Sequence, residues 1–125
     1  MPNEPTKTVL AVVSDLFFSA KINEAAKHAG VKLAYVTTES GLLEKARANP
    51  PLIIFDLNFD AARPLDLIGK LKADAALKHI NLIGYLSHVQ TDLKRAAEET
   101  GCDEVMARSA FSMNLPEILK RYSTA

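Results

Sequence analysis

Three short runs constrain this chain more than any other feature: Thr-Val-Leu-Ala-Val-Val-Ser at residues 8–14, Pro-Leu-Ile-Ile-Phe-Asp at 51–56, and the apolar stretch at 80–86. None of them alternates apolar with polar side chains. Successive side chains of a strand point to opposite faces, so a strand with one wet face has to alternate; these runs demand strands covered on both sides. Parallel sheets with helices on both faces meet that demand, and the intervening sequence supplies the helices.

Residues 16–29 place Phe18, Ile22, Ala25, Ala26 and Ala29 at helical spacing, with Lys21, Glu24 and Lys27 elsewhere and Gly30 as the stop. Residues 31–37 predict a second strand, and 39–48 a short helix with Leu42, Leu43 and Ala46 inward, ended by Asn49, Pro50 and Pro51. The third strand closes at Asp56, and 57–63 form a loop. Pro64 suits the first turn of a helix that points Leu65, Ile68, Leu71 and Ala75 at the sheet and fades near Lys78 and His79. A fourth strand at 80–86 is followed by a helix at 91–100, with Leu93, Ala96 and Ala97 inward and Gly101 as its cap. A short strand at 104–107 and a helix at 114–122, burying Leu115, Ile118, Leu119 and Tyr122, complete the order.

Five strands alternating with five helices predict an α/β fold, a doubly wound five-stranded parallel sheet in the order 2-1-3-4-5. Ligands of such folds sit outside the carboxyl ends of the strands, at the switch point between strands one and three. Asp15 and Asp56 close those two strands, which makes them the first candidates for chemistry.

Composition narrows the function classes. Lys plus Arg and Asp plus Glu both number 15, so no net field favours nucleic acid or an anionic membrane. The single cysteine, Cys102, excludes an intrachain disulfide, no Cys/His cluster has zinc spacing, and no apolar stretch approaches the roughly 20 residues of a membrane span. The expectation is one cytoplasmic domain over 8–125 behind a disordered lead-in at 1–7, with Cys102 a small buried hydrophobe and His28 and His79 on helix surfaces.

From residue 9 to about 122 the chain resembles the receiver domain of two-component response regulators. The resemblance rests on five strand-end positions: Ser14 with Asp15, Asp56, Ser87, and Arg108 followed by Ser109. It implies that Asp56 is the phosphoacceptor and Ser87 the switch hydroxyl, and that Asp15, Asp56 and the backbone carbonyl of Asn58 hold Mg²⁺. Where the family carries an acidic pair, this chain has Ser14 before Asp15, which implies weaker Mg²⁺ binding. Where the family has Lys-Pro it has Arg108-Ser109, so the following loop takes another path. Arg108 offers a planar fork of donors that binds phosphate in a different geometry or pairs with Asp56 directly. Phe59 and Asp60 replace the family's Met-Pro and add a carboxylate near the mouth. His88 stands at the entrance where the family keeps a small residue, and Val105 replaces the family's aromatic reporter. Phe18 is expected in the core, whereas Phe17 is open to a role as lid or contact.

The resemblance implies a stand-alone signalling domain, not an enzyme beyond self-phosphorylation from a donor and its reversal. Its partners would be a histidine kinase or phosphotransfer protein and a protein target. It implies a homodimer or docking face on the fourth helix, fifth strand and fifth helix, here carrying Lys94, Arg95, Glu98, Met106, Met113 and Tyr122. Two alternatives stay open: a phosphorylation-independent pseudo-receiver, and a small-ligand-binding or hydrolytic domain using Asp15, Asp56, Asp60, His88 and Arg108. The second lacks a Gly-rich phosphate cradle and a Ser-His-Asp order.

Overall fold

The computed structural model of the chain describes residues 8–87 and 90–122, so the expected lead-in at 1–7 lies outside the described residues. The strands are β1 (Thr8–Val12), β2 (Lys32–Tyr35), β3 (Leu52–Asp56), β4 (Asn81–Leu86) and β5 (Glu104–Ala107). The helices are α1 (Leu16–Ala29), α2 (Glu39–Ala46), α3 (Pro64–Ala73), α4 (Thr91–Thr100) and α5 (Arg108–Lys120). All strand pairs are parallel and the order is β2-β1-β3-β4-β5, as expected from the alternation of elements.

The period-two geometry of the strands divides the core. Val9, Ala11, Ile54, Ile83 and Tyr85 face one side, where Phe18, Ile22 and Ala26 of α1 and Phe111, Leu115 and Ile118 of α5 cover them. Leu10, Val12, Ile53, Phe55 and Leu82 face the other, under Leu42 of α2, Leu67, Ile68 and Leu71 of α3, and Ala97 of α4. Gly84, in register with Phe55 and Val105, makes room for Leu57, because a Cβ there would sit 2.9 Å from its Cδ1 and the leucine would have to shift. At the lower edge Lys72 donates to the carbonyls of Lys78 and Ile80 and to Asp103, which also accepts from the Leu82 amide. That network ties the end of α3 to the turn before β5.

Two expectations about elements need correction. The last helix starts at Arg108, six residues before the expected 114, so no loop separates β5 from α5. Phe111 falls on the Leu115–Ile118 face and draws the extra turn onto the sheet, and Pro116 is carried inside the helix. Ala75 is exposed because α3 ends at Ala73; Leu67 and Leu77 fill that side of the core instead. His79 lies in the turn after α3, its Nε2 2.6 Å from Asn49 Oδ1, whereas His28 is on the surface of α1 beside Glu24. No helix among the described residues is long and apolar enough to cross a membrane.

Candidate functional site

Asp56 is the last residue of β3 and lies in register with Tyr85 of β4. At 4% exposure it is the sole buried charged side chain among the described residues. Its Oδ1 accepts one hydrogen bond, from the Asn58 amide at 2.9 Å, and Oδ2 accepts none from the described residues. Burial raises its pKa above the ordinary carboxylate value. The Asn58 amide and the Arg108 charge oppose that rise, while the neighbouring charges of Asp15 and Asp60 reinforce it.

Asp15 is held at the mouth by the start of α1. It is the N-cap, and its Oδ1 accepts from the amides of Phe17 (2.9 Å) and Phe18 (3.1 Å), two donors that a helix start leaves unpaired. Its Oδ2 is 3.9 Å from Nη1 of Arg108. The direct Arg108–Asp56 contact, one of the two roles the sequence leaves open for Arg108, is therefore not the one formed. Asp56 is sunk at the strand end, and the guanidinium is drawn outward over two aromatic faces, 5.5 Å from the Phe18 centroid and 5.9 Å from that of Tyr85. Nε of Arg108 is buried with no hydrogen-bond partner among the described residues.

Ser87 reaches the site through a clasp between two loops. Its amide donates to Asn58 Oδ1 at 2.7 Å, while its hydroxyl (3.3 Å) and Asn58 Nδ2 (2.9 Å) share Oε1 of Gln90. The hydroxyl is thus engaged away from Asp56. The backbone carbonyl of Asn58 accepts from the Asp60 amide at 3.0 Å, which leaves one lone pair for any other donor or ion. Ser14 is exposed, Val105 is buried, and His88 lies outside the described residues.

Between the starts of α1 and α5 an open cleft of about 690 Å³ adjoins Asp15 and Arg108, lined also by Phe17, Lys21, Ser112 and Met113. Phe17 is 88% exposed and stands on this rim, while Phe18 is core as expected. Met113, read from the sequence as part of the α4–α5 face, sits here with α1, because the helix that carries it starts earlier than its spacing suggested.

Sequence reasoning missed three residues. Gln90 carried no motif. Phe111 was on helical spacing with Leu115 and was readable in principle. Tyr85 looked like one more strand residue, yet its ring packs 4.6 Å from Phe18 and 5.0 Å from Phe111, joining α1, β4 and α5. Its hydroxyl is buried without a partner among the described residues, and burial and the nearby Asp56 raise its pKa. Cys102 is buried as expected, its thiol pushed up to about 11 by burial.

Among the described residues no group of three or more His, Cys, Asp or Glu side chains is placed to hold a metal. Oδ2 of Asp15, Oδ2 of Asp56 and the second lone pair of the Asn58 carbonyl are oxygens open to a cation, in a site where Asp15 and Asp60 both crowd the Asp56 charge. That donor set fits Mg²⁺, which takes one or two carboxylates and keeps several waters.

No family model and no curated protein matches the sequence. Solved structures do match. A response regulator from Hahella chejuensis is 20% identical, with TM-score 0.81 over 95% of this chain and 96% of its own. The phosphorylated cyanobacterial phytochrome response regulator RcpA is 21% identical, with TM-score 0.75 over 92% of this chain and 89% of its own. The Mn²⁺-bound form of the response regulator Rcp1 is 18% identical, with TM-score 0.74 over 92% and 90%. The likeness is one of fold: this chain has the architecture of the response-regulator receiver domains.

Proposed function

We propose that the chain is a receiver-type signalling domain of a phosphorelay that takes a phosphoryl group on Asp56 and acts through protein contacts. The observation that carries this reading is Asp56 itself, a buried carboxylate at the carboxyl end of β3 with a single hydrogen bond and one unengaged oxygen among the described residues. Burying such a group costs stability, and a site that bears that cost without pairing the charge is one where reactivity is served. The fold shared with a phosphorylated and a Mn²⁺-bound response regulator adds support.

In the reaction Oδ2 of ionised Asp56 attacks the phosphorus of a phosphohistidine or acyl phosphate donor. The new O–P bond forms as the donor's N–P or O–P bond breaks; a histidine donor leaves as imidazole with a proton from solvent, and an acyl phosphate leaves as its carboxylate. Asp15 and Asp56 would hold Mg²⁺, which when bound offsets the negative charge gathered there. The Asn58 amide orients Asp56 by fixing Oδ1, leaving Oδ2 to react. Arg108 lies close enough to lower the Asp56 pKa and supplies a cation for the phosphoryl oxygens. The Ser87 hydroxyl has to leave Gln90 to donate to the same group. The partners that fit are a histidine kinase or phosphotransfer protein as donor and a protein target, with Lys94, Arg95 and Glu98 exposed on α4 for docking or homodimer formation.

The test is incubation with Mg²⁺ and acetyl phosphate, followed by intact mass, beside an Asp56→Asn variant. An acid-labile phosphoryl adduct on the wild type alone is expected. Absence of an adduct at millimolar donor, together with amide spectra unmoved by beryllofluoride, sinks the phosphoacceptor and leaves the phosphorylation-independent reading.

A further inference from the structure

We propose that Tyr85 is a positioning residue for Arg108: with Phe18 it forms an aromatic seat for the guanidinium, which Arg108 leaves to meet an oxyanion on Asp56. This inference rests on the proposal that Asp56 accepts a phosphoryl group. Three observations carry it. The guanidinium is held by ring faces at 5.5 and 5.9 Å and by one carboxylate oxygen at 3.9 Å, beyond hydrogen-bonding range. Its Nε is buried with no partner among the described residues, so the seat leaves a donor unused that a phosphoryl oxygen would employ. The Tyr85 hydroxyl is likewise buried with no partner among the described residues, while its ring does the packing.

Departure from such a seat is favoured by charge-assisted hydrogen bonds, which are stronger than attraction to a ring face. It also has a mechanical result. The Phe18–Tyr85–Phe111 stack is the joint where α1 meets α5, and Arg108 is the first residue of α5. When the arm withdraws, the upper face of that joint loses its cation and the first turn of α5 follows its own side chain. The seat thereby converts occupancy of Asp56 into a change where Phe17 and Met113 stand exposed.

Three tyrosines and no tryptophan make the test clean. The protein is labelled with 3-fluorotyrosine, resonances are assigned with Tyr35→Phe and Tyr122→Phe, and Mg²⁺ with beryllofluoride is added as the phosphoryl mimic. One ¹⁹F spectrum then reports both bound beryllofluoride and the tyrosine rings. The expected result is a bound beryllofluoride signal with the Tyr85 resonance displaced and that of Tyr35 still. In Arg108→Gln the Tyr85 resonance is expected to be displaced already in the free protein and to stay there when the mimic is added. Bound mimic without movement of Tyr85, or coincident Tyr85 resonances in free wild type and Arg108→Gln, overturns the seat and leaves the phosphoacceptor standing. No bound mimic on the wild type overturns both.

Discussion

An aspartate that is buried, singly hydrogen-bonded among the described residues and crowded by two other acids should destabilise the protein that keeps it. Asp56→Asn tests this with little else changed, because an asparagine oxygen still accepts from the Asn58 amide. What is removed is the burial cost of a charge at 4% exposure and its repulsion by Asp15 and Asp60, set against the lost attraction of Arg108. The penalty for a poorly satisfied buried polar group is about 1–3 kcal/mol. Deducting part of it for Arg108 leaves a gain of about 1–2 kcal/mol, or roughly 3–10 °C in Tm for a domain of this size. The gain must depend on pH with a definite sign. Burial raises the folded-state pKa of Asp56 above its unfolded value. Its contribution therefore favours the fold at pH below the unfolded pKa and is lost as pH rises through the folded pKa. The variant's advantage should accordingly be full at pH 7.5 and shrink as the solution is acidified and Asp56 protonates. Urea unfolding of both proteins across that range measures it. An Asp56→Asn protein no more stable than wild type at pH 7.5, or a gain that does not diminish in acid, refutes the reasoning.

Gly84→Ala should cost about 1–3 kcal/mol by driving a methyl into Leu57, and Leu57→Ala should relieve it, so a double-mutant cycle by denaturant unfolding must be non-additive. Lys72→Met removes three hydrogen bonds at the lower edge of the sheet and should lose about 1–3 kcal/mol in the same assay; an unchanged midpoint would deny that network a stabilising role. Ser14→Asp restores a second acid beside Asp15 and should tighten Mg²⁺ binding by about 1 kcal/mol, roughly fivefold, followed by amide shifts on titration with Mg²⁺.

Most of the fold was legible because its cues are local. The limits of α1 follow from an unbroken apolar stripe and the left-handed Gly30 that ends it, and those of α4 and β5 are equally plain. The start of α5 was missed because Arg108 and Ser109 were read as the beginning of a loop after the fifth strand. Phe111, four residues before Leu115, was the cue that outweighed them. Within the site, Asp15 and Asp56 were readable as strand-end acids. The Asn58–Gln90 clasp and the seat of Arg108 were not, since each joins side chains from separate loops or elements that only the fold brings together. Of the two roles the sequence left open for Arg108, the direct pair with Asp56 is not formed, since charge complementarity along a sequence says nothing of the rings that compete for a guanidinium.

The absence of a linker between β5 and α5 makes chain length itself a fixed quantity at one point of this protein. Each residue of a helix advances its faces by about 100°. One residue inserted between Ala107 and Arg108 would therefore turn Phe111 and Leu115 away from the sheet or carry the guanidinium off the aromatic rings, with no slack to absorb the change. Between β3 and α3, by contrast, seven residues at 57–63 intervene, with a short 3₁₀ turn over Asp60–Ala62, so an added residue there does not pass directly into the phase of a helix. Tolerance to insertions and deletions should thus differ sharply between two junctions at the same end of the sheet, and the rigid one is where chemistry and helix placement share a single residue.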